Sequence, residues 1–224
     1  EALAGLLLTV PAGLAYLLML LLPTAATIML AFTDYELGLP GWNWIGLGNF
    51  EELLEDRGFA IAFRNTVIYV GLVAPLSIIL GLACALLIEV GIRGRATFRA
   101  VFFLPVVSLT VAMAAAWQYL LHPTIGPLNA FLRMMGMEAP PFWLSSSDWV
   151  LLSLSAIGIW ENIGYNMVMF LAGLTAIPRE LYHAAEVDGA RGWLDRFRLV
   201  TWPLRGPTTL FVLTITMIRS IRVF

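Results

Sequence analysis

The chain has 224 residues, of which 60% are hydrophobic and 12% are charged, and its formal net charge is −2. Soluble domains carry about 25% charged residues, so this composition excludes an ordinary soluble domain and predicts a polytopic membrane protein. It also excludes a nucleic-acid-binding protein, which needs concentrated basic surface. The single cysteine, Cys84, excludes a disulfide framework and a cysteine-rich metal site.

Five apolar segments are long enough to cross a membrane, which takes roughly 20 helical residues. In chain order they are residues 4–32, 66–90, 100–121, 149–176 and 206–224. The first is longer than the apolar core of a signal peptide and lacks a basic leader, so we interpret it as a span. Three glycines are expected to allow close packing of these helices: Gly81, Gly164 and Gly173. Four prolines lie within spans, where we expect kinks: Pro11, Pro23, Pro75 and Pro105. The sequence therefore predicts an all-α, polytopic helical membrane protein.

The arginines are distributed unevenly between the connections. Residues 91–99 carry three and residues 178–205 carry five, whereas residues 33–65 carry two and residues 122–148 carry one. Because cytoplasmic loops hold the excess of basic residues, the N-terminus and residues 178–205 are predicted to be cytoplasmic. Five tryptophans then fall near the outer boundary, where interfacial aromatics are enriched: Trp42, Trp44, Trp117, Trp143 and Trp149.

Polar side chains interrupt the fourth apolar segment. A charged group such as Glu161 is expensive in a bilayer, so it is expected to face a bundle interior or a water-filled cavity. Asn162 and Asn166 share one helix face, and Glu161 and Tyr165 share the adjacent one. Together with Trp160, these side chains are candidates for a path that binds a hydroxyl-rich solute. Alternatively, Glu161 pairs with an arginine and only fixes helix packing.

Residues 178–205 form a polar segment between the fourth and fifth spans. A short helix is predicted over residues 180–188. Pro178 suits a helix start, Glu180 favours the positive N-terminal end, and Gly189 can end the helix.

Ala184 and Ala185 give this helix a face with almost no side chains. The backbone of another protein could approach such a face closely. The sequence therefore predicts a docking helix, and the alternative is a polar linker with a short helix lying on the membrane surface.

Two arginines share a face of the fifth segment. Arg219 and Arg222 lie 14 and 17 residues beyond Arg205, or about 21 to 26 Å along a helix. One interpretation is interfacial anchoring by snorkelling. The other is contact with an anionic group of a solute, since guanidinium binds phosphate and carboxylate in a bidentate manner.

No catalytic, cofactor-binding or metal site is predicted. The chain lacks the G-x-x-x-x-G-K-[ST] phosphate loop, so ATP hydrolysis cannot be assigned to it. His122 and His183, the two histidines, fall on opposite sides of the membrane in the predicted topology.

Residues 178–205 resemble the cytoplasmic EAA loop of the membrane subunits of binding-protein-dependent ABC importers. The matching positions are Ala184, Ala185, Gly189, Phe197 and Pro203. His183 stands where the family usually has glutamate, and the stretch from Trp193 to Phe197 is one residue longer than the common spacing.

The resemblance continues through most of the chain, and it is greatest to the maltose-type and glycerol-phosphate-type sugar permeases. The matching segments are WIGLGNFEELLEDRGFAIAFRNT (44–66), FFLPVV (102–107), GPLN (126–129), WLSSSDW (143–149), IWENIGY (159–165) and LAGLTAIP (171–178).

The resemblance implies a six-helix permease core, of which this chain would hold five spans. Residues 1–65 would supply the first helix and an extracytoplasmic segment, and residues 66–224 the transmembrane core, cut before its sixth helix. The residues expected to dock the ATPase are Glu180, His183, Ala184, Ala185, Glu186, Asp188 and Gly189. The residues expected along the solute path are Trp160, Glu161, Asn162, Tyr165, Asn166, Arg219 and Arg222.

The resemblance also implies partners and a location. The partners are a second permease subunit, two cytoplasmic ATPase subunits that bind ATP and Mg²⁺, and an extracytoplasmic solute-binding protein. The location is the cytoplasmic membrane of a bacterium or archaeon. The expected function is ATP-driven import of a sugar, a sugar-like solute or a polyol phosphate. The alternative is a membrane scaffold or intramembrane enzyme that uses the loop only to dock a partner.

Overall fold

The computed structural model describes residues 2–89 and 94–223. Arg93, one of the arginines counted in the second connection, lies outside the described residues. The helices are α1 (Ala2–Tyr16), α2 (Leu22–Leu30), α3 (Gly48–Glu55), α4 (Arg57–Glu89), α5 (Arg95–Val107), α6 (Thr110–Leu120), α7 (Pro127–Met134), α8 (Val150–Thr175), α9 (Arg179–Val187), α10 (Trp193–Arg196), α11 (Trp202–Leu204) and α12 (Gly206–Ile221). In these residues the only β pairing is an isolated bridge between Thr33 and Trp44. The predicted all-α class is confirmed.

Two of the described helical stretches have both the length and the hydropathy to cross a membrane. They are Thr9–Leu30, within the first predicted span, and Arg57–Glu89, which begins before the predicted start at residue 66. Helix α8 has 26 residues, but the polar residues at its centre lower its hydropathy. Helix α12 is apolar and has 16 residues.

The third predicted span is not one continuous helix. Helices α5 and α6 meet at an angle of 101°, so they form either a broken span or a re-entrant loop. Pro105 stays inside α5, and the break falls at Ser108 and Leu109, whose backbones are extended. The Ser108 hydroxyl donates to the Leu104 carbonyl at 2.7 Å and so satisfies the end of α5. The expected bend is therefore present in the third segment, but it falls three residues after Pro105 rather than at the proline itself.

Two π-helical turns precede prolines. The first covers Leu17–Leu21 and is followed two residues later by Pro23. The second covers Phe197–Thr201 and is followed two residues later by Pro203. Proline has no N–H and its ring crowds the carbonyl four residues earlier. A π turn is wider than an α turn and relieves this crowding. The distortion expected at Pro23 thus takes the form of a π turn.

The chain divides into two compact units, Glu1–Phe63 and Arg64–Phe224, with the boundary inside α4. In the first unit, the end of α2 is fixed by a side chain of α3. The Asn49 amide donates to the carbonyls of Ala31 and Thr33 at 2.9 and 2.8 Å. These bonds satisfy carbonyls that a helix C-terminus leaves without partners. The Phe32 ring stacks on Trp44 with centroids 5.6 Å apart, which completes a small folded cap.

Asp34 and Asn43 close the loop that follows α2. Asn43 donates to the Asp34 carboxylate through both its backbone N–H and its side-chain amide. These bonds, the backbone one foremost, lower the pKa of Asp34 below its usual value. The carboxylate therefore stays ionised, and keeps these bonds, at a lower pH than an ordinary aspartate would.

In the second unit, α8 is the central helix and packs against α4, α5 and α12. The apolar core consists of Ala85, Ile88, Met167, Phe170, Leu171, Leu174 and Val212. Glycines permit the close approach of the helices. A Cβ at Gly81 would lie 2.7 Å from the Cβ of Asn166, and one at Gly164 would overlap the Phe102 carbonyl. A Cβ at Gly173 would meet the side chain of Thr208. The predicted packing role of the three glycines is confirmed.

Candidate functional site

The two polar faces predicted on α8 point to different surroundings. The face that carries Asn162 and Asn166 is buried inside the second unit, where the two residues are 7% and 0% exposed. The face that carries Glu161 and Tyr165 is more open. Only the second face can reach a solute in this structure.

Asn166 joins three helices by hydrogen bonds. Its amide donates to the Ser77 hydroxyl of α4 at 3.1 Å. Its carbonyl accepts from the Thr216 hydroxyl of α12 at 2.8 Å. Such bonds between membrane helices fix their packing. Asn166 therefore holds the unit together and, contrary to expectation, does not line the cavity described below.

Asn162 also points inward. Its amide donates to the Gly158 carbonyl of its own helix at 2.8 Å. Its carbonyl oxygen is buried and has no hydrogen-bond partner among the described residues. Because the side chain is buried within this chain, Asn162 does not line the cavity described below.

Glu161, Tyr165 and Arg219 form a cluster between α8 and α12. An Arg219 Nη lies 3.7 Å from a Glu161 carboxylate oxygen. The guanidinium carbon lies 4.4 Å from the centroid of the Tyr165 ring, which is within cation–π range. The Glu161 and Arg219 side chains are 48% and 36% exposed. Both charged groups are therefore paired and still accessible.

A cavity of about 440 Å³ opens beside this cluster. Its walls include Trp117, Gln118, Trp160, Glu161 and Arg219. The Trp117 and Trp160 rings meet edge to face, with centroids 5.3 Å apart. The Trp117 indole N–H is buried and has no partner among the described residues. The cavity thus combines aromatic surface with hydrogen-bonding groups.

Sequence reasoning missed some residues of the cavity and included one, Arg222, that does not line it. Trp117 was assigned to the membrane boundary, and Gln118 carried no signal that linked it to α8. Arg222 ends α12 in an exposed position and does not line the cavity. Ser77 and Thr216 were also missed, because small hydroxyl residues are common in membrane helices.

The helix predicted over residues 180–188 is α9, which runs from Arg179 to Val187. Pro178 occupies the N-cap position. Gly189 adopts a left-handed backbone with φ of +100°, and the Ala190 N–H donates to the Ala185 carbonyl at 2.9 Å. This is the C-terminal arrangement that glycine favours, so the predicted helix end is confirmed.

The docking residues predicted from sequence do not all lie on the surface. Ala185 is 8% exposed and packs against Ala190 and Val200 of the same loop. The Tyr182 and Thr201 hydroxyls are 3.1 Å apart and join the two halves of this packing. The interpretation of Ala185 as part of an open face was wrong, because the second half of the loop folds over it. The exposed members of the set are Glu180, His183, Ala184, Glu186, Asp188 and Gly189.

A groove of about 600 Å³ runs along the face of α9 that carries Leu181 and Ala184. Its walls include Leu181, Ala184, Leu199 and Leu204. On another side, the Glu186 carboxylate binds the Arg196 guanidinium at 2.9 Å. The loop is thus a folded element with an apolar groove, rather than an extended linker.

A helical membrane unit with a polar, aromatic cavity and a folded polar loop between two of its helices is typical of a transport subunit. Residues 77–224 match the family model described as binding-protein-dependent transport system inner membrane component. The chain belongs to this family. The prediction of a permease subunit rather than an enzyme is confirmed.

Individual relatives agree with this assignment. The chain is 34% identical over 176 residues to the sn-glycerol-3-phosphate transport system permease of Agrobacterium fabrum, covering 79% of this chain and 59% of that protein. It is 30% identical over 224 residues to the trehalose/maltose transport system permease of Thermococcus litoralis, covering 100% of this chain and 75% of that one. A chain of a bacterial ABC transporter that imports the acidic polysaccharide alginate superposes with a TM-score of 0.78 and 25% identity, over 99% of this chain and 74% of that chain.

Proposed function

We propose that this chain forms part of the translocation path for a sugar or sugar-like solute. A second permease subunit, two cytoplasmic ATPase subunits and an extracytoplasmic binding protein would complete the importer. ATP and Mg²⁺ would bind to the ATPase subunits. Two relatives are named as permeases of an sn-glycerol-3-phosphate and a trehalose/maltose transport system, and these names support this solute class.

The observation that carries the proposal is the cavity between α6, α8 and α12. Sugars present hydroxyl groups at their edges and apolar C–H surface on their faces. Gln118 and Glu161 offer hydrogen-bonding groups, and Trp160 offers an aromatic surface. This combination fits a hydroxyl-rich solute.

The charge balance of the cavity favours a neutral solute over a phosphorylated one. Among the described residues, Arg219 is the one arginine that lines the cavity, and its guanidinium already lies 3.7 Å from the Glu161 carboxylate. A phosphate group would have to displace the Glu161 carboxylate or accept its repulsion. A hydroxyl of a neutral sugar can instead donate a hydrogen bond to the Glu161 carboxylate without breaking the pair.

We expect Trp160→Leu to weaken uptake of a neutral disaccharide by roughly two- to tenfold, because stacking on an aromatic ring adds about 0.5–1.5 kcal/mol beyond burial. The measurement is uptake into vesicles that contain the complete importer, its binding protein and ATP. Trp160→Phe is the matched control and should retain most uptake. Equal losses in the two variants would contradict a stacking role, and the absence of ATP-dependent uptake in the wild type would favour the scaffold alternative.

We further propose that α9 and its apolar groove dock the ATPase. An indole at Ala184 would overpack a close contact at a cost of about 1–3 kcal/mol. We therefore expect Ala184→Trp to lower co-purification of the ATPase and solute uptake roughly tenfold. Because Ala184 is exposed and Ala185 is buried, this variant should leave the loop itself folded. Ala130→Trp, at an exposed alanine of α7, is the control. Normal uptake by Ala184→Trp would exclude this face as the contact.

The proposed orientation places the N-terminus and the docking loop in the cytoplasm. In a Cys84→Ala background, a cysteine at the exposed Ser147 should react with an impermeant thiol reagent added outside intact cells. A cysteine at the exposed Arg191 should react only after the membrane is opened. The arginine distribution is the physical basis for this expectation. The reverse labelling pattern would invert the topology.

A further inference from the structure

A basic cleft of about 660 Å³ lies where α4, α5 and α8 meet the docking loop. Its charged lining consists of Arg95, Arg99, Arg179, Arg196, Glu89 and Glu186. With His183 neutral, four arginines and two glutamates leave an excess of two positive charges. The cleft is separate from the cavity beside Glu161, and the lining residues of the two are different.

The arginines of the cleft differ in whether they form an ion pair. Arg196 binds Glu186 at 2.9 Å. Among the ion pairs of residues 2–89 and 94–223, none involves Arg95, Arg99 or Arg179. Three guanidinium groups thus remain able to bind an anion, and guanidinium fits phosphate oxygens in a bidentate manner.

The other side of the cleft is apolar. Leu86 of α4 and Val168 and Leu171 of α8 line it, and Ile177 continues the surface toward the docking loop. Helices α4 and α8 end at Glu89 and Thr175, so the cleft lies at the ends of apolar membrane helices. A small soluble anion would leave this apolar wall uncovered, whereas an acyl chain can pack against it.

We propose that the basic cleft binds an anionic phospholipid, with its phosphate on Arg95, Arg99 and Arg179 and an acyl chain along the apolar wall. Basic pockets between membrane helices near the cytoplasmic surface have the charge and the position that such headgroups require. Occupation of the cleft would tie the docking loop to the ends of α4 and α8. The lipid would thereby support the loop from the side opposite its groove.

The test uses the purified complete importer in bilayers of phosphatidylcholine, with or without about one-fifth phosphatidylglycerol, and counts retained phosphatidylglycerol by native mass spectrometry. Each cation near an anionic membrane surface strengthens binding about fivefold, so Arg95→Gln combined with Arg99→Gln should weaken retention roughly 25-fold. Arg198→Gln is the matched control, because Arg198 is an exposed arginine of the same loop that does not line the cleft. It should retain the lipid as the wild type does.

A second measurement guards against a double variant that fails to fold. The thermal midpoint of the wild-type importer should rise with phosphatidylglycerol content and reach a plateau. Equal retention by the wild type and the double variant would overturn the proposal. Stabilisation of the importer in pure phosphatidylcholine by inorganic phosphate, to the same extent as by phosphatidylglycerol, would show that the cleft takes a soluble anion instead. The absence of any preference for phosphatidylglycerol over phosphatidylcholine would also overturn it.

Discussion

Gly164→Ala should push α8 away from α5 and strongly destabilise the second unit. A Cβ at this position would overlap the Phe102 carbonyl oxygen and lie 2.8 Å from its carbon. Backbone atoms cannot rotate away as a flexible side chain can, so the helices themselves must move apart. We expect destabilisation of about 3 kcal/mol, at the upper end of the usual cost of overpacking. The measurement is the thermal midpoint of the purified importer, together with the amount of the chain recovered from membranes.

Gly71→Ala provides the matched control for this substitution. Gly71 lies in α4, another membrane helix, and a Cβ there would meet nothing within 4 Å. Alanine stabilises a helix by up to about 1 kcal/mol relative to glycine, so this variant should equal or exceed the wild type in stability. If Gly164→Ala were as stable as Gly71→Ala, the close packing of α8 on α5 would be incorrect.

Glu161→Gln should lower solute uptake roughly five- to tenfold while leaving the importer folded. The glutamine oxygen still accepts a hydrogen bond from a solute hydroxyl, but a bond to a carboxylate is about 1–1.5 kcal/mol stronger than a neutral one. The Glu161 and Arg219 side chains are 48% and 36% exposed, so solvent screens their pair. The pair should therefore contribute no more than about 1 kcal/mol to stability. Uptake and the thermal midpoint are measured on the same preparation.

Two comparisons make this prediction sharper. Glu51→Gln, at an exposed glutamate of α3, removes one charge away from the cavity and should leave uptake unchanged. Arg219→Gln combined with Glu161→Gln restores the charge balance, so a purely structural pair should recover in the double variant. Recovery of uptake in that double variant, or a destabilised Glu161→Gln importer with normal uptake per surviving molecule, would assign Glu161 to helix packing.

Sequence analysis was most accurate for the helices whose ends are marked by local signals. Helix α8 was expected at residues 149–176 and runs from Val150 to Thr175. Helix α9 was located equally well, because proline and glycine mark its ends. The right angle between α5 and α6 carried no such mark, since Ser108 and Leu109 are ordinary helix residues. The short helices α3 and α7 were missed because they lie in segments interpreted as extracytoplasmic connections.

The candidate site was predicted only in part, for a related reason. Periodicity correctly divided the polar residues of α8 into two adjacent faces. It could not decide which face meets neighbouring helices, because that depends on where α4 and α12 pack. Asn166 proved to be bonded to both of them, whereas Glu161 and Trp160 line a cavity. A buried asparagine needs hydroxyl partners, but nothing in the sequence singles out Ser77 or Thr216 as those partners.

The π-helical turn Phe197–Thr201 bears on how the loop of residues 178–205 accommodates changes of length. One extra residue in an α-helix rotates everything after it by about 100°, whereas a π turn takes up an extra residue within a single turn. The resemblance to the EAA loop predicts that the stretch from Trp193 to Phe197 is one residue longer than the common spacing, and the π turn follows this stretch directly. On that expectation, the wider turn that relieves the crowding at Pro203 would also take up the extra residue and leave the facing of α12 unchanged. An alignment with relatives should therefore run inward from both ends of the loop and leave its unmatched residue in this turn.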